Sequence, residues 1–178
     1  FALVRAIMRC MTWMKYEQGP GLSRESWLAT GAVIRISEKD FCVERVNSAR
    51  ELGSDFGLHP SADIPVYWLD GYGPGLRGAY VPKANCVLFF RNTDLETVHH
   101  ELVHAVEHYK EKRPGLTRLY QEVLDRITEA SFDDGLISFN FRKNIGEFLA
   151  DGRSKPLFIA ALKKEGLYDR FLEESAYL

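Results

Sequence analysis

Leu95, Val98, Leu102, Ala105, Val106 and Tyr109 recur every three or four residues, the period of a helix with one apolar face. Thr93 and Glu96 have the Thr-x-x-Glu spacing of a capping box at its start, and Pro114-Gly115 supplies a stop. The spacing therefore predicts one helix over residues 92–112. Leu116, Leu119, Tyr120, Val123, Leu124, Ile127 and Ala130 predict a second, closed by Phe132-Asp-Asp-Gly135, where the Asp pair is read as turn chemistry because no EF-hand spacing surrounds it. Residues 142–154, 156–164 and 168–175 predict three more helices, with Gly166 separating the last two. At the other end, Leu3, Ile7, Cys10, Met11 and Met14 predict an amphipathic helix over residues 1–16, broken by Gln18-Gly-Pro-Gly21. Residues 23–29 are read as a helical turn.

Between the ends the pattern shortens to strand length. Residues 32–37 and 41–46 are β-rich runs joined as a hairpin through Glu38-Lys39-Asp40. Residues 48–56 predict a short helix ended by Gly57, with Arg50 and Glu51 facing solvent. Residues 64–69 predict a strand, with Pro65 near its start or at an edge. Asp70-Gly-Tyr-Gly-Pro-Gly75 is read as a flexible loop, since it lacks the Lys and helix start of a phosphate-binding loop. Residues 79–81 and 86–90 form a hairpin around Pro82-Lys83-Ala84-Asn85. The expected architecture is α+β, one domain over residues 1–178. A small mixed sheet with helices precedes the long helix, a mainly helical lobe follows it, and a cleft lies between.

The long helix carries chemistry on its polar side. His100, Glu101 and His104 spell H-E-x-x-H. Residues four apart stack on one face, roughly 6 Å apart, so two imidazoles there converge on one zinc ion at about 2.0–2.1 Å. Glu101 is too far round the helix to be an easy third ligand, but it can reach a water that zinc acidifies toward a pKa of about 7 and take its proton. In a chain with five His this motif arises by chance in about one sequence in a hundred; the capped, one-side-apolar context is what sets it above an ordinary solvated face.

A third ligand has to come from elsewhere. The metzincin extension needs a Gly and a His where this chain has Glu107 and Lys110. His108 shares the face but lies about 12 Å along the axis from His100. His108 and His99 are therefore expected at the surface or behind the ligands. Glu147 and Asp151 are four apart on a later helical stretch whose Phe148 and Leu149 point elsewhere. Glu-x-x-x-Asp after H-E-x-x-H is the pattern in which the Glu completes the triad and the Asp orients a ligand imidazole through its outer nitrogen.

HELVHAVEHY at 100–109, EFLADGRSK at 147–155 and GLRGAYVPKANCVLFF at 75–90 together resemble the catalytic domain of anthrax lethal factor and the clostridial Pro-Pro endopeptidases, over about residues 75–178. The resemblance implies a gluzincin-type zinc endopeptidase, with His100, His104 and Glu147 as ligands and Glu101 as base. It implies a bacterial toxin or effector, secreted or injected into a host cell, acting on a host protein. The chain departs from that pattern in three places. Val103 stands for a Gly, Asp151 for a Glu, and Asn140 for the Tyr seven residues before the ligand Glu. Candidates for stabilising an oxyanion are Asn140, Arg142, Tyr80 and Tyr168. The strand before a zincin's active helix is a sheet edge, so Gly78, Ala79, Tyr80 and Val81 are expected to hold an extended peptide.

Composition narrows the partners. A net charge of −2 gives no electrostatic footprint for nucleic acid or an anionic membrane, and no apolar run reaches the 18 residues of a membrane span. Expected partners are one zinc ion and a protein or peptide substrate. Cys10, Cys42 and Cys86 are odd in number and widely spaced, which reads as buried free thiols. The chain opens on Phe1, read as a fragment or processed form with any targeting signal out of view. The competing reading is a catalytically degenerate zincin, a metal-containing binding module.

Overall fold

The computed structural model describes residues 43–69, 77–82, 85–128, 132 and 140–178. The elements expected over residues 1–37, the glycine-rich loop at 70–75 and the turn at 133–135 lie outside the described residues, as do Cys10 and Cys42. The chain runs β1 (Val43–Ser48), α1 (Ala49–Ser54), β2 (Pro65–Leu69), β3 (Gly78–Val81), β4 (Cys86–Phe89), α2 (Leu95–Glu107) and α3 (Pro114–Arg126). A 3-10 turn (Asn140–Arg142) leads to α4 (Ile145–Ser154), α5 (Pro156–Lys164) and α6 (Tyr168–Glu174). This is a mixed α+β fold. Its sheet has the order β1-β2-β4-β3, with β2 and β4 parallel and the outer pairs antiparallel.

The sheet follows from short runs of branched and aromatic residues bounded by turn chemistry. Pro65 opens β2 opposite Ser48, at the strand's end rather than its middle. Asn85 adopts a positive φ of 48° in the β3–β4 turn, a conformation Asn tolerates better than most residues. The same turn lets β3 fold back on β4 with Gly78 opposite Phe89 and Val81 opposite Cys86. Among the described residues β3 has β4 as its single strand neighbour, and Cys86 is buried in β4.

Helix α2 lies across this sheet. Its Val98, Leu102, Val103, Ala105 and Val106 are buried and join the strand residues Val66, Val87 and Phe89 in one core. Leu95 and Tyr109, placed on the apolar stripe by spacing, are exposed, while Val103 belongs to the buried face. The N-cap is Asp94 rather than Thr93: the Asp94 side chain accepts the Thr97 N–H at 2.8 Å, and Thr93 Oγ1 is buried with no hydrogen-bond partner among the described residues. The helix also ends at Glu107, five residues before the expected Lys112. Residues 110–113 offer no apolar face, Lys112 reaches back to Glu107 at 2.7 Å, and Pro114 holds Arg113 in an extended conformation. Pro114 thus starts α3 instead of merely stopping α2. Helix α3 stops at Arg126, with Ile127 buried and extended, short of the expected Ala130.

The C-terminal part is helical, as the periodicity implied. Phe148 on α4 packs edge-on to Phe171 of α6 at 5.3 Å, and Phe141 stacks on Phe158 of α5 at 4.3 Å. Each such fully buried ring contributes about 1.5–3 kcal/mol. Gly152 permits this packing: a Cβ there would meet the Phe171 ring at 2.4 Å. Gly166 takes a φ of 68° between α5 and α6, where a side chain would strain the backbone. Among the described residues no helix is long and apolar enough to cross a membrane. Substituting Gly152→Ala is expected to destabilise the fold by about 1–3 kcal/mol, the usual cost of overpacking. Urea denaturation checks this; an unchanged midpoint would show that α4 and α6 can separate freely.

Candidate metal centre

Helix α2 is pinned on two sides, by β3 and β4 beneath and by α4 across it. His100 and His104 project from the face toward α4. On α4, Asn144 caps the helix by accepting the Glu147 N–H at 2.9 Å, which fixes Glu147 in the first turn, near the positive end of the helix dipole. Gly146 faces α2 at ordinary contact distance: a Cβ there would lie 3.4 Å from Glu107 Oε2 and 3.6 Å from His104 Nδ1, and more tightly, 3.1 Å, from the capping Asn144 Oδ1.

Three atoms then meet. His100 Nε2 and His104 Nε2 are 3.1 Å apart, and Glu147 Oε2 lies 3.3 Å from the first and 3.7 Å from the second. The circle through those atoms has a radius of about 2.0 Å, which fits the usual 2.0–2.1 Å from each ligand to one cation. Glu147 Oε2 is buried and forms no hydrogen bond among the described residues. The three side chains are 12–19 % exposed, so they are neither sealed nor fully solvated. His100, His104 and Glu147 therefore form a group able to hold a metal ion.

Asp151 sits behind the triangle. Its carboxylate is 1 % exposed, 3.3 Å from His100 Nδ1 and 3.0 Å from Lys155 Nζ. Ser154 Oγ donates to the Ala150 carbonyl at 2.7 Å and is 3.4 Å from the same His100 nitrogen. Burial works to lower the His100 pKa, but Asp151, Glu147 and Glu101 outweigh it and raise it to about 9. Burial pushes the Glu147 carboxyl up, yet the two imidazoles hold it well below the usual carboxylate range.

Glu101 lies on the sheet side of the pair. Its Oε2 accepts the main-chain N–H of Tyr80 at 2.7 Å. Gly78 makes room for that approach: a Cβ would be 2.9 Å from Thr97 Cγ2 and 3.2 Å from Glu101 Cγ. The side chain of Tyr80 packs instead on His108, ring centres 5.6 Å apart.

The other candidates stand elsewhere. The Arg142 guanidinium donates to the Ile127 carbonyl beyond α3 and lies over Phe141. Asn140 opens the 3-10 turn, its carbonyl accepting the Lys143 N–H at 2.9 Å. Tyr168 starts α6, its ring 4.9 Å from Lys163 Nζ. His108 is exposed, as expected. His99 is half-buried and stacks on Phe56 at 4.6 Å; burial, with Arg153 and His100 nearby, lowers its pKa to about 4. It is a packing residue rather than a surface one. Two further residues support the site: Asn144, whose Asn-x-x-Glu spacing to Glu147 is a capping signal readable in the sequence, and Lys155, one turn from Asp151. Gly78 and the Tyr80 N–H carry no side-chain signal at all.

Two outcomes are expected here, both read with Zn2+ as the probe ion. Asp151→Ala should weaken affinity about 10- to 100-fold, the range for groups that orient a ligand imidazole; unchanged affinity would make Asp151 a packing residue. With its pKa near 9, His100 carries a proton at neutral pH, and a metal must displace it. Calorimetry in buffers of different ionisation enthalpy should show about one proton released per ion at pH 7, and affinity rising with pH up to about 9. Binding without proton release would contradict this.

No protein-family model, no curated protein and no solved structure matches this chain.

Proposed function

We propose that the chain is a zinc-dependent endopeptidase of the gluzincin type, hydrolysing peptide bonds with Glu101 as general base. The observation that carries this is the triangle of His100, His104 and Glu147 with Glu101 one residue from the first ligand. The donor set is two imidazoles and a carboxylate, which suits zinc, and it leaves a coordination position open. Structural zinc sites are usually closed and Cys-rich, and Cys86, the described cysteine, is buried in β4. Zinc bound there supplies Lewis acidity toward a substrate carbonyl and a water acidic enough to lose a proton near neutral pH.

The remaining work falls to the chain's own groups. Glu101 takes the proton from the attacking water and delivers it to the leaving amide nitrogen. Asp151 holds His100 by its outer nitrogen, and Asn144 holds the turn that carries Glu147. Strand β3 offers main-chain groups beside Glu101, where an extended peptide can add as a further strand. The resemblance to lethal factor and the Pro-Pro endopeptidases supports a secreted or injected protease with a protein substrate. It is carried by residues 75–178, where the triad, the base and β3 all lie.

Glu101→Gln should retain zinc at one per chain and lose cleavage of a broad peptide library by about 100-fold or more, the scale of a general base. Full activity in that variant would remove Glu101 from the mechanism. Zinc bound by the wild-type chain with no cleavage of any library member would favour the metal-containing binding module instead.

A further inference from the structure

The hydrogen bonding of β3 divides its main chain into two sets. Phe90 donates its N–H to the Arg77 carbonyl at 2.9 Å, so Arg77 and Phe90 are a hydrogen-bonded pair of the antiparallel ladder. Pairs alternate along such a ladder. The register places Ala79 opposite Leu88 and Val81 opposite Cys86, the next bonded pairs. Gly78 and Tyr80 fall on the alternate positions, and their N–H and C=O groups turn away from β4. Of the four residues expected to hold a peptide, these two carry the main-chain groups that no strand among the described residues uses.

One of those groups is already engaged. The Tyr80 N–H donates to Glu101 Oε2 at 2.7 Å, within the length of a strong charge-assisted bond. The close approach depends on the missing side chain at Gly78, which sits against Thr97 and Glu101 Cγ. The Glu101 carboxylate therefore lies in the lane that an added strand would enter. A single N–H cannot serve a carboxylate and a peptide carbonyl at full strength together.

We infer that the Tyr80 main-chain N–H is the resting partner of Glu101 and that an extended peptide adding to β3 takes this N–H over. The base is then released only where a substrate main chain is bound across Gly78 and Tyr80. This rests on the endopeptidase reading and adds to it a positioning role for a backbone group. It also sets a substrate class: peptides long enough to pair with β3, in extended conformation, with a free carbonyl opposite Tyr80.

Two measurements on the full chain test the two halves. The first is amide hydrogen exchange at Tyr80, which needs neither metal nor turnover. The N–H should exchange slowly in the wild type and about tenfold faster or more in Glu101→Ala, because its acceptor is gone. Equal rates overturn the resting bond. The second is binding of a fluorescent degenerate decapeptide library in the zinc-loaded Glu101→Ala background. Adding Tyr80→Ala removes the ring and keeps the N–H; adding Tyr80→Pro removes both, at an edge position where no ladder bond is lost. The Pro variant should bind about tenfold more weakly than the Ala variant, a single lost main-chain bond. Equal binding by the two overturns the takeover. Should the Pro variant fail to fold, the exchange rate of Tyr80 with and without the library in Glu101→Ala decides the point: slowing supports the takeover, no change overturns it. Failure of the endopeptidase reading looks different, as a wild-type chain that cleaves no library member while the Tyr80 exchange pattern stands.

Discussion

Helix α2 has to be packed on both sides at once. Its buried face, from Val98 to Val106, rests on the sheet, and its polar face meets α4 closely enough to bring Glu147 Oε2 to 3.3 Å from His100 Nε2. Neither contact is independent of the other. Four-residue spacing stacks the two imidazoles, but spacing alone does not aim them. The aim comes from Asp151 behind His100 and from the capped turn that holds Glu147, and both sit on α4. α4 in turn is held by Phe148 and by the Phe171 ring lying against Gly152. The metal group therefore depends on aromatic packing one layer away from it.

The electrostatics follow the same arrangement. Three carboxylates, Glu101, Glu147 and Asp151, surround two imidazoles. Lys155 offsets part of that charge at Asp151. Without a cation, a proton on His100 takes its place, which is why that imidazole is held basic despite its burial. A divalent ion held by the group would substitute for that proton and lie against the buried Glu147 Oε2. The site's affinity for metal and its affinity for a proton are two readings of one excess of negative charge.

The helices of the C-terminal part and the H-E-x-x-H pair were legible in the sequence because both depend on local period. Glu147 and Asp151 were legible as a pair for the same reason, though which oxygen faces which nitrogen was not. Boundaries were less readable. Thr93 and Asp94 are both good caps, and the choice between them shows only in the bond Asp94 makes to the Thr97 N–H. The end of α2 was misplaced because Lys110, Glu111 and Lys112 are all good helix formers, yet no apolar face remains there to hold a further turn. The parallel pairing of β2 with β4 could not be read, since it joins strands separated by β3 in the chain. The Tyr80 N–H bond to Glu101 was invisible because a backbone donor leaves no trace in residue identity.

The central claim is that His100, His104 and Glu147 hold one zinc ion. X-ray absorption at the zinc edge on the purified, zinc-loaded chain reads that ligand set without needing a substrate. The expected spectrum shows nitrogen and oxygen donors at about 2.0–2.2 Å, two of them imidazoles, with no sulfur. A sulfur shell at about 2.3 Å, or a fully hydrated ion without imidazole scattering, would contradict the account.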